Sequence, residues 1–148
     1  MRLMIMIAAV AVVGVPISAD AGDWRVVYVD TQTASAVDVG GIRTVAGKKV
    51  AWSATIFSTT QEEDVDYHLV RREYDCAASL WTGLSLTQYN ASGANIYSSH
   101  ERRPTLAVIP DSVGEHLFNA VCFGEGVSDE SYSRPSDVLT KYREFLTD

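Results

Sequence analysis

Tyr67-His68-Leu69-Val70-Arg71-Arg72-Glu73-Tyr74-Asp75-Cys76 is the stretch on which the fold turns. Successive side chains of a strand point to opposite faces, so Val70, Tyr74 and Cys76 share one side, and Arg71, Glu73 and Asp75 the other. This pattern predicts a half-buried strand. If Cys76 reaches a covering helix, the buried face is its own.

Working outward toward the N-terminus, Gln61-Glu62-Glu63-Asp64-Val65-Asp66 is an acidic run that breaks the alternation and reads as a solvated hairpin tip. It lacks the glycine and the distant bidentate glutamate of an EF-hand loop, so calcium is the weaker reading. Before it, Lys48 to Phe57 alternates again, with Val50, Trp52, Ala54 and Ile56 on one face and Lys49, Ala51, Ser53, Thr55 and Phe57 on the other. Gly40-Gly41 and Gly47 mark turns, Ala36 to Val39 reads as a short strand, and Trp24 to Asp30 is dense in the β-branched and aromatic residues that fit a pleated surface.

Beyond Cys76, Ala77-Ala78-Ser79 makes a tight connection to Leu80–Gln88, whose Leu80, Leu84 and Leu86 are in register for the same core. Asn90-Ala91-Ser92-Gly93 is a turn and, in a eukaryotic secretory pathway, a glycosylation sequon. Ala94 to Ser99 is a short strand. Connections of a few residues imply that neighbouring strands pair as antiparallel hairpins. After Pro104 and Pro110 the period changes. Ser112-Val113-Gly114-Glu115 has the form of a capping box, in which the hydroxyl and the carboxylate each satisfy an orphan amide of the first helical turn. Val113, Leu117, Ala120 and Val121 follow at helical spacing and end at Cys122. Phe123 to Arg134 reads as a linker. Pro135 to Leu146 can form a second amphipathic helix with Val138, Tyr142 and Phe145 on one stripe and Leu139 and Leu146 beside it; docking back on the domain is the expectation, and service to a partner the alternative. The fold class is therefore α+β, an antiparallel β-sheet with a C-terminal helix packed on it.

The first 21 residues carry the parts of a secretory signal: Arg2, an apolar run of roughly 12 residues, and a small-x-small exit at Ala19 and Ala21. Cleavage after Ala21 is expected. A membrane anchor is the competing reading, but a helical span needs about 20 apolar residues. No cysteine lies near the exit, which closes the lipoprotein route. The domain plan is then residues 1–21 as signal peptide, 22–123 as the folded domain, and 124–148 as linker and helix. Export places the protein in the periplasm or outside the cell, where an even cysteine count favours pairing of Cys76 with Cys122. Laying the helix on the sheet brings the two together. Closing a loop of about 47 residues stabilises by roughly 4 kcal/mol in the chain-entropy model. Two free buried thiols remain the alternative, and two lone cysteines without a CxxC spacing make a poor metal site.

Net charge is −7, and cleavage leaves it unchanged because Arg2 and Asp20 depart together. An acidic surface disfavours nucleic acid and anionic membranes. Hydrophobic residues at 47% and a mean hydropathy near zero fit a soluble globule without stable membrane insertion. Three histidines, His68, His100 and His116, stand apart, and no HExxH, GxSxG, Walker or dinucleotide-binding glycine pattern is present. The carboxylate pairs Glu73 with Asp75 and Glu62 with Asp64 carry little information in so acidic a chain. No enzyme, cofactor or metal is expected. Basic spots at Lys48-Lys49, Arg71-Arg72 and Arg102-Arg103 interrupt the acidic average, and Arg71 and Arg103 are candidate contacts for acidic glycans or for carboxylates of a protein partner; the plainer reading is charge balance and protection of strand edges.

The ordered landmarks carry a resemblance: Trp24, then Val37-Asp38 with Ile42-Arg43, then Val50-Ala51-Trp52, Tyr74-Asp75-Cys76, Tyr89 and Gly93, and Ile109-Pro110-Asp111-Ser112 opening a helix that reaches Cys122. Residues 24–122 resemble the surface-adhesin E family. That resemblance implies a bacterial envelope or secreted protein with a sheet of about six strands and a helix tied to it by Cys76–Cys122. It also implies a non-enzymatic role, since the founding members are surface lipoproteins that bind host extracellular-matrix and serum proteins. This chain departs from them in lacking a lipidation cysteine. The expected function is thus an exported binding module with a protein partner, in the envelope or a host matrix. The alternative is a periplasmic inhibitor of a lysozyme or protease, in which the acidic Glu62, Glu63 and Asp64 loop enters a cationic cleft.

Overall fold

The computed structural model describes residues 21–148, so the reading of residues 1–21 as an export signal lies, Ala21 apart, outside the described residues. In chain order the elements are β1 (Trp24–Val29), β2 (Thr33–Asp38), β3 (Arg43–Val45), β4 (Lys48–Phe57), β5 (Tyr67–Asp75), β6 (Leu80–Tyr89), β7 (Asn95–Ser99), β8 (Leu106–Ala107), α1 (Val113–Phe123) and α2 (Pro135–Phe145). The eight strands make one antiparallel sheet of order β1-β2-β4-β5-β6-β7, with β3 beside β4 and β8 beside β6. Its six-stranded spine matches the six strands expected. The additions are short: β3 folds back on β4 across Ala46-Gly47, both at positive φ (49° and 79°), as a two-residue hairpin turn requires.

The alternation in β4 predicts one buried face, whereas the structure buries both. Ala54 and Ile56 join Trp24, Tyr67 and the α2 residues Val138, Leu139 and Tyr142 in one core. Ala51 lies on the opposite side with Val37, Tyr74 and the α1 residues Leu117, Phe118 and Val121. Ala51 and Ser53 read as the polar face only because they are small; small side chains are what let a helix approach that side closely. The two helices therefore clasp the β1-β2-β4 half of the sheet from opposite faces, and α2 docks on the domain.

Bulges set which side chains face which helix. In β1 the register steps between Val26 and Tyr28, so that Val27 is the extra residue. In β6 the partners of Arg71 and Arg72 are Ser85 and Gly83, which leaves Leu84 unpaired. This overturns the expectation that Leu80, Leu84 and Leu86 share one core face: the inserted residue puts Leu80 and Leu86 on opposite sides, and none of the three is fully buried. Thr82, Ser85 and Thr87 are buried in their place.

Helix α1 starts as its sequence demands, with the Ser112 Oγ accepting from the Glu115 amide at 3.2 Å. The capping box is incomplete, since the Glu115 carboxylate accepts from the Asp111 amide at 2.9 Å, one residue ahead of the cap. Gly124 ends the helix in the left-handed region at φ 70°, its amide reaching the Ala120 carbonyl. The Lys49 Nζ donates to the carbonyls of Val121 and Cys122 at 3.1 and 3.2 Å, a cation placed at the negative end of the helix. Beside it Cys76 and Cys122 are bonded, their Cα atoms 5.7 Å apart.

Helix α2 opens on Pro135, and its Val138, Leu139 and Tyr142 are buried. The expected stripe fails at Phe145, which is 69% exposed, and Leu146 is exposed as well. The Tyr142 hydroxyl donates to the Asp30 carbonyl at 2.9 Å, and Arg143 donates to the Phe57 carbonyl and to Asp66. The segment read as a linker is pinned. Trp24 and Tyr132 exchange backbone hydrogen bonds at 2.9 and 3.0 Å, and the Ser128 amide bonds the Val26 carbonyl, which closes the β1 edge of the sheet.

Candidate functional site

The two edges of the sheet differ. Tyr132 and Ser128 cover β1, while β7 pairs only inward, with β6, through Leu86–Ser99, Thr87–Ser98, Gln88–Tyr97 and Tyr89–Asn95. Asn95 to Ser98 are all exposed, and among them Ile96 and Tyr97 are apolar or aromatic. An open edge with unpaired amides and carbonyls is a template for another extended chain.

Around the same edge the chain beyond β7 lies along β6. The Arg103 amide donates to the Gly83 carbonyl at 2.8 Å, and Thr82 and Thr105 share a hydroxyl hydrogen bond of 2.8 Å. Adjacent residues of this extended segment go to opposite faces. Arg102 reaches the Glu73 carboxylate at 3.0 Å, where Lys48 also binds at 3.3 Å; the Arg102 hydrogen bond is the main cause holding the Glu73 carboxyl below its ordinary value. Arg103 turns to the α1 side, its stem lying on Gly83, where an added Cβ would come 3.3 Å from its Cγ.

There Arg103 meets Arg72. The two line a slot of about 430 Å³ together with Trp81, Leu86, Pro104 and Leu106. Arg72 also borders a smaller cleft of about 180 Å³ that runs to Val113 and Gly114 at the start of α1. The Arg72 guanidinium sits 5.1 Å from the centre of the Trp81 ring and donates to the Ser53 hydroxyl. Among the described residues no carboxylate pairs with it. Burial pulls the Arg72 guanidinium below its ordinary value, against the opposing pull of Tyr74, and burial likewise raises the Tyr74 phenol. The Tyr74 hydroxyl is close enough to feel that charge yet makes no hydrogen bond of ordinary geometry. Glu101 lines the slot and forms no salt bridge with either arginine.

The residues singled out from sequence do not form one site. Cys76 and Cys122 are bonded at one end of β5, and Glu62, Glu63 and Asp64 form an exposed 3-10 turn at the other. Glu63 and Asp64 have positive φ (59° and 61°), and the turn rests on Asp66, which binds Thr60 at 2.7 Å and Arg143 at 2.7 Å. Arg71 is exposed beside Trp52 on the α2 side of the sheet, whereas Arg103 belongs to the slot on the α1 side. Arg72, not among those candidates, is a half-buried cation of the slot. Its signal was present: it shares parity with Val70 and Tyr74 on the face expected to be buried. His68 packs edge-on against Phe57, His116 lies at a tilt against Tyr28, and Glu73 pairs with Lys48 and Arg102; no hydrogen bond or ion pair joins His68, His116 and Glu73 to one another. Among the described residues no cluster has the makings of a metal site. No described helix is long and apolar enough to cross a membrane.

An antiparallel sheet stapled by one disulfide to a helix, with one edge closed and the other open, defines a small α+β domain. The chain belongs to the surface-adhesin protein E family, whose model matches residues 24–123. No curated protein and no solved structure gives a significant match.

Proposed function

We propose that this chain is a non-enzymatic binding module, exported through residues 1–21 to the periplasm or beyond, that holds a protein partner along its open sheet edge. The observation that carries this reading is the contrast between β1, sealed by Ser128 and Tyr132, and β7, whose outer side is bare and presents Ile96 and Tyr97. A partner strand added there gains main-chain hydrogen bonds from β7 and side-chain contacts from alternate residues. Family membership supports a binding role, and the disulfide supports an oxidising compartment. Residues 22–148 immobilised and offered envelope extract and purified matrix proteins should retain a partner. Ile96→Asp with Tyr97→Asp should release it while leaving the thermal midpoint unchanged. Retention indifferent to both changes, or retention only of a second copy of this chain, would defeat the reading.

The acidic turn favours a second reading as an enzyme inhibitor, because Glu62, Glu63 and Asp64 project from a base fixed by Asp66, Thr60 and Arg143. A lysozyme assay with the processed domain tests it, and no protection at micromolar domain disposes of it.

A further inference from the structure

We propose that the slot between β5, β6 and the segment 101–106 is a binding site for a carboxylate carried on an apolar body, with Arg72 as the anchoring cation. The site adjoins the end of β7, Ser99 being in its lining, but it does not depend on that edge taking a partner strand. Its argument begins with hydrogen-bond accounting. A guanidinium has five N–H donors and keeps its charge throughout the physiological range. Arg72 gives one of them to a neutral hydroxyl, that of Ser53, and lays its face on Trp81. In a chain of net charge −7, acids are plentiful, yet none pairs with this arginine among the described residues. A partly buried cation left without an anion is costly, and an anionic ligand is the partner that cancels the cost.

The surroundings select the anion. Leu86, Pro104, Leu106 and the Trp81 ring supply apolar walls, so a small, strongly hydrated inorganic anion gains little from the slot. A carboxylate is planar and matches the fork of a guanidinium with two parallel hydrogen bonds. Arg103 provides a second cation on the same slot, so that with Glu101 also in the lining two cations face one carboxylate there. The Tyr74 hydroxyl lies beside Arg72 on the neighbouring cleft and is not part of the slot's lining. A volume of about 430 Å³ accommodates a body the size of an aromatic acid or the last residues of a peptide. The chemistry is the same for a free organic acid and for the terminal carboxylate of an apolar peptide.

Amide NMR on the processed, oxidised domain separates these sources. One arm titrates 4-phenylbutyrate against its amide, and the other an apolar tetrapeptide with a free against an amidated C-terminus. Saturable shifts of the Trp81 indole N–H and the Gly83 amide with the acids and not with the amides are expected in at least one arm, and the arm that saturates more tightly identifies the source. Arg72→Gln should weaken that binding about tenfold or more, as expected for loss of a charge-assisted pair, and Arg103→Gln less. Should Arg72→Gln fail to fold, Arg103→Gln and the acid–amide comparison still decide. Shifts that never saturate below about 10 mM, equal shifts with acid and amide, or affinity unchanged in both variants would overturn the proposal.

Discussion

Asp66, at the foot of the acidic turn, accepts a 2.7 Å hydrogen bond from Arg143 on the last helix, so the C-terminal element is tied by charge to the β4–β5 connection. The Asp66 side chain is 3% exposed and that of Arg143 28%. Burial alone would raise the Asp66 carboxyl; the hydrogen bonds from Thr60 and Arg143, with the Arg143 charge, outweigh it and hold the group below its ordinary value.

Removing one partner of such a pair leaves the other charge stranded. Arg143→Ala should cost about 2–3 kcal/mol in urea unfolding, below the full penalty of a buried pair because Thr60 still binds Asp66. A depressed carboxyl stabilises above its unfolded value and loses that contribution as pH falls through its folded value. The difference between wild type and Arg143→Ala should therefore shrink in acid. A gap independent of pH would assign the loss to packing of the arginine stem instead.

His68 titrates in a different window. Burial, helped by the positive charge of Arg72, pushes the His68 imidazole down to about 4 from 6.5. The unfolded chain then takes up a proton that the folded one refuses, so stability falls as pH drops from about 6.5 to about 4 and the contribution flattens below that. The loss over this window is on the order of 3 kcal/mol at most. Denaturation curves at several pH values, with His68→Gln as control, check it: the variant should be flatter between pH 7 and about pH 4.5. Equal slopes would contradict the burial of the ring.

The staple between β5 and α1 should contribute roughly 4 kcal/mol, given a sequence separation of 46. Replacing Cys76 and Cys122 together by serine should lower the unfolding free energy in urea by about that amount, with a steeper slope because the unfolded chain is no longer held compact by the cross-link. A far smaller loss would mean that α1 holds its place by packing alone.

Lys49→Met keeps the stem and removes the cation from the Val121 and Cys122 carbonyls. A loss of about 1 kcal/mol is expected, and it should diminish in high salt. No change would show that solvent caps the helix equally well.

Much of this architecture was legible in local pattern. The alternation of β4 and β5, the Ser112 cap and the spacing of Leu117, Ala120 and Val121 against Cys122 are short-range signals, and they placed the spine of the sheet, α1 and its covalent tie. β3 and β8 were missed because three and two residues are too few to show a period. The Leu80, Leu84 and Leu86 error came from a bulge, which leaves no mark in composition. The candidate site was the least readable part. Arg71 and Arg72 are chemically identical neighbours, and only strand parity sends one to solvent and the other under Trp81 and Pro104. Arg103 was flagged, but its slot exists only once residues 101–106 lie along β6, a tertiary event.

The order in which the chain is made gives the two-sided clasp a timetable. Cys122 is synthesised before Val138, Leu139 and Tyr142, so α1 can be locked in place while the opposite face of the sheet, with Trp24, Ile56 and Tyr67, still lacks its lid. A polypeptide stopped shortly after Gly124 would display that aromatic floor to whatever chaperone or protease patrols its compartment. Docking of α2 is thus the step that takes Trp24, Ile56 and Tyr67 out of solvent on that face.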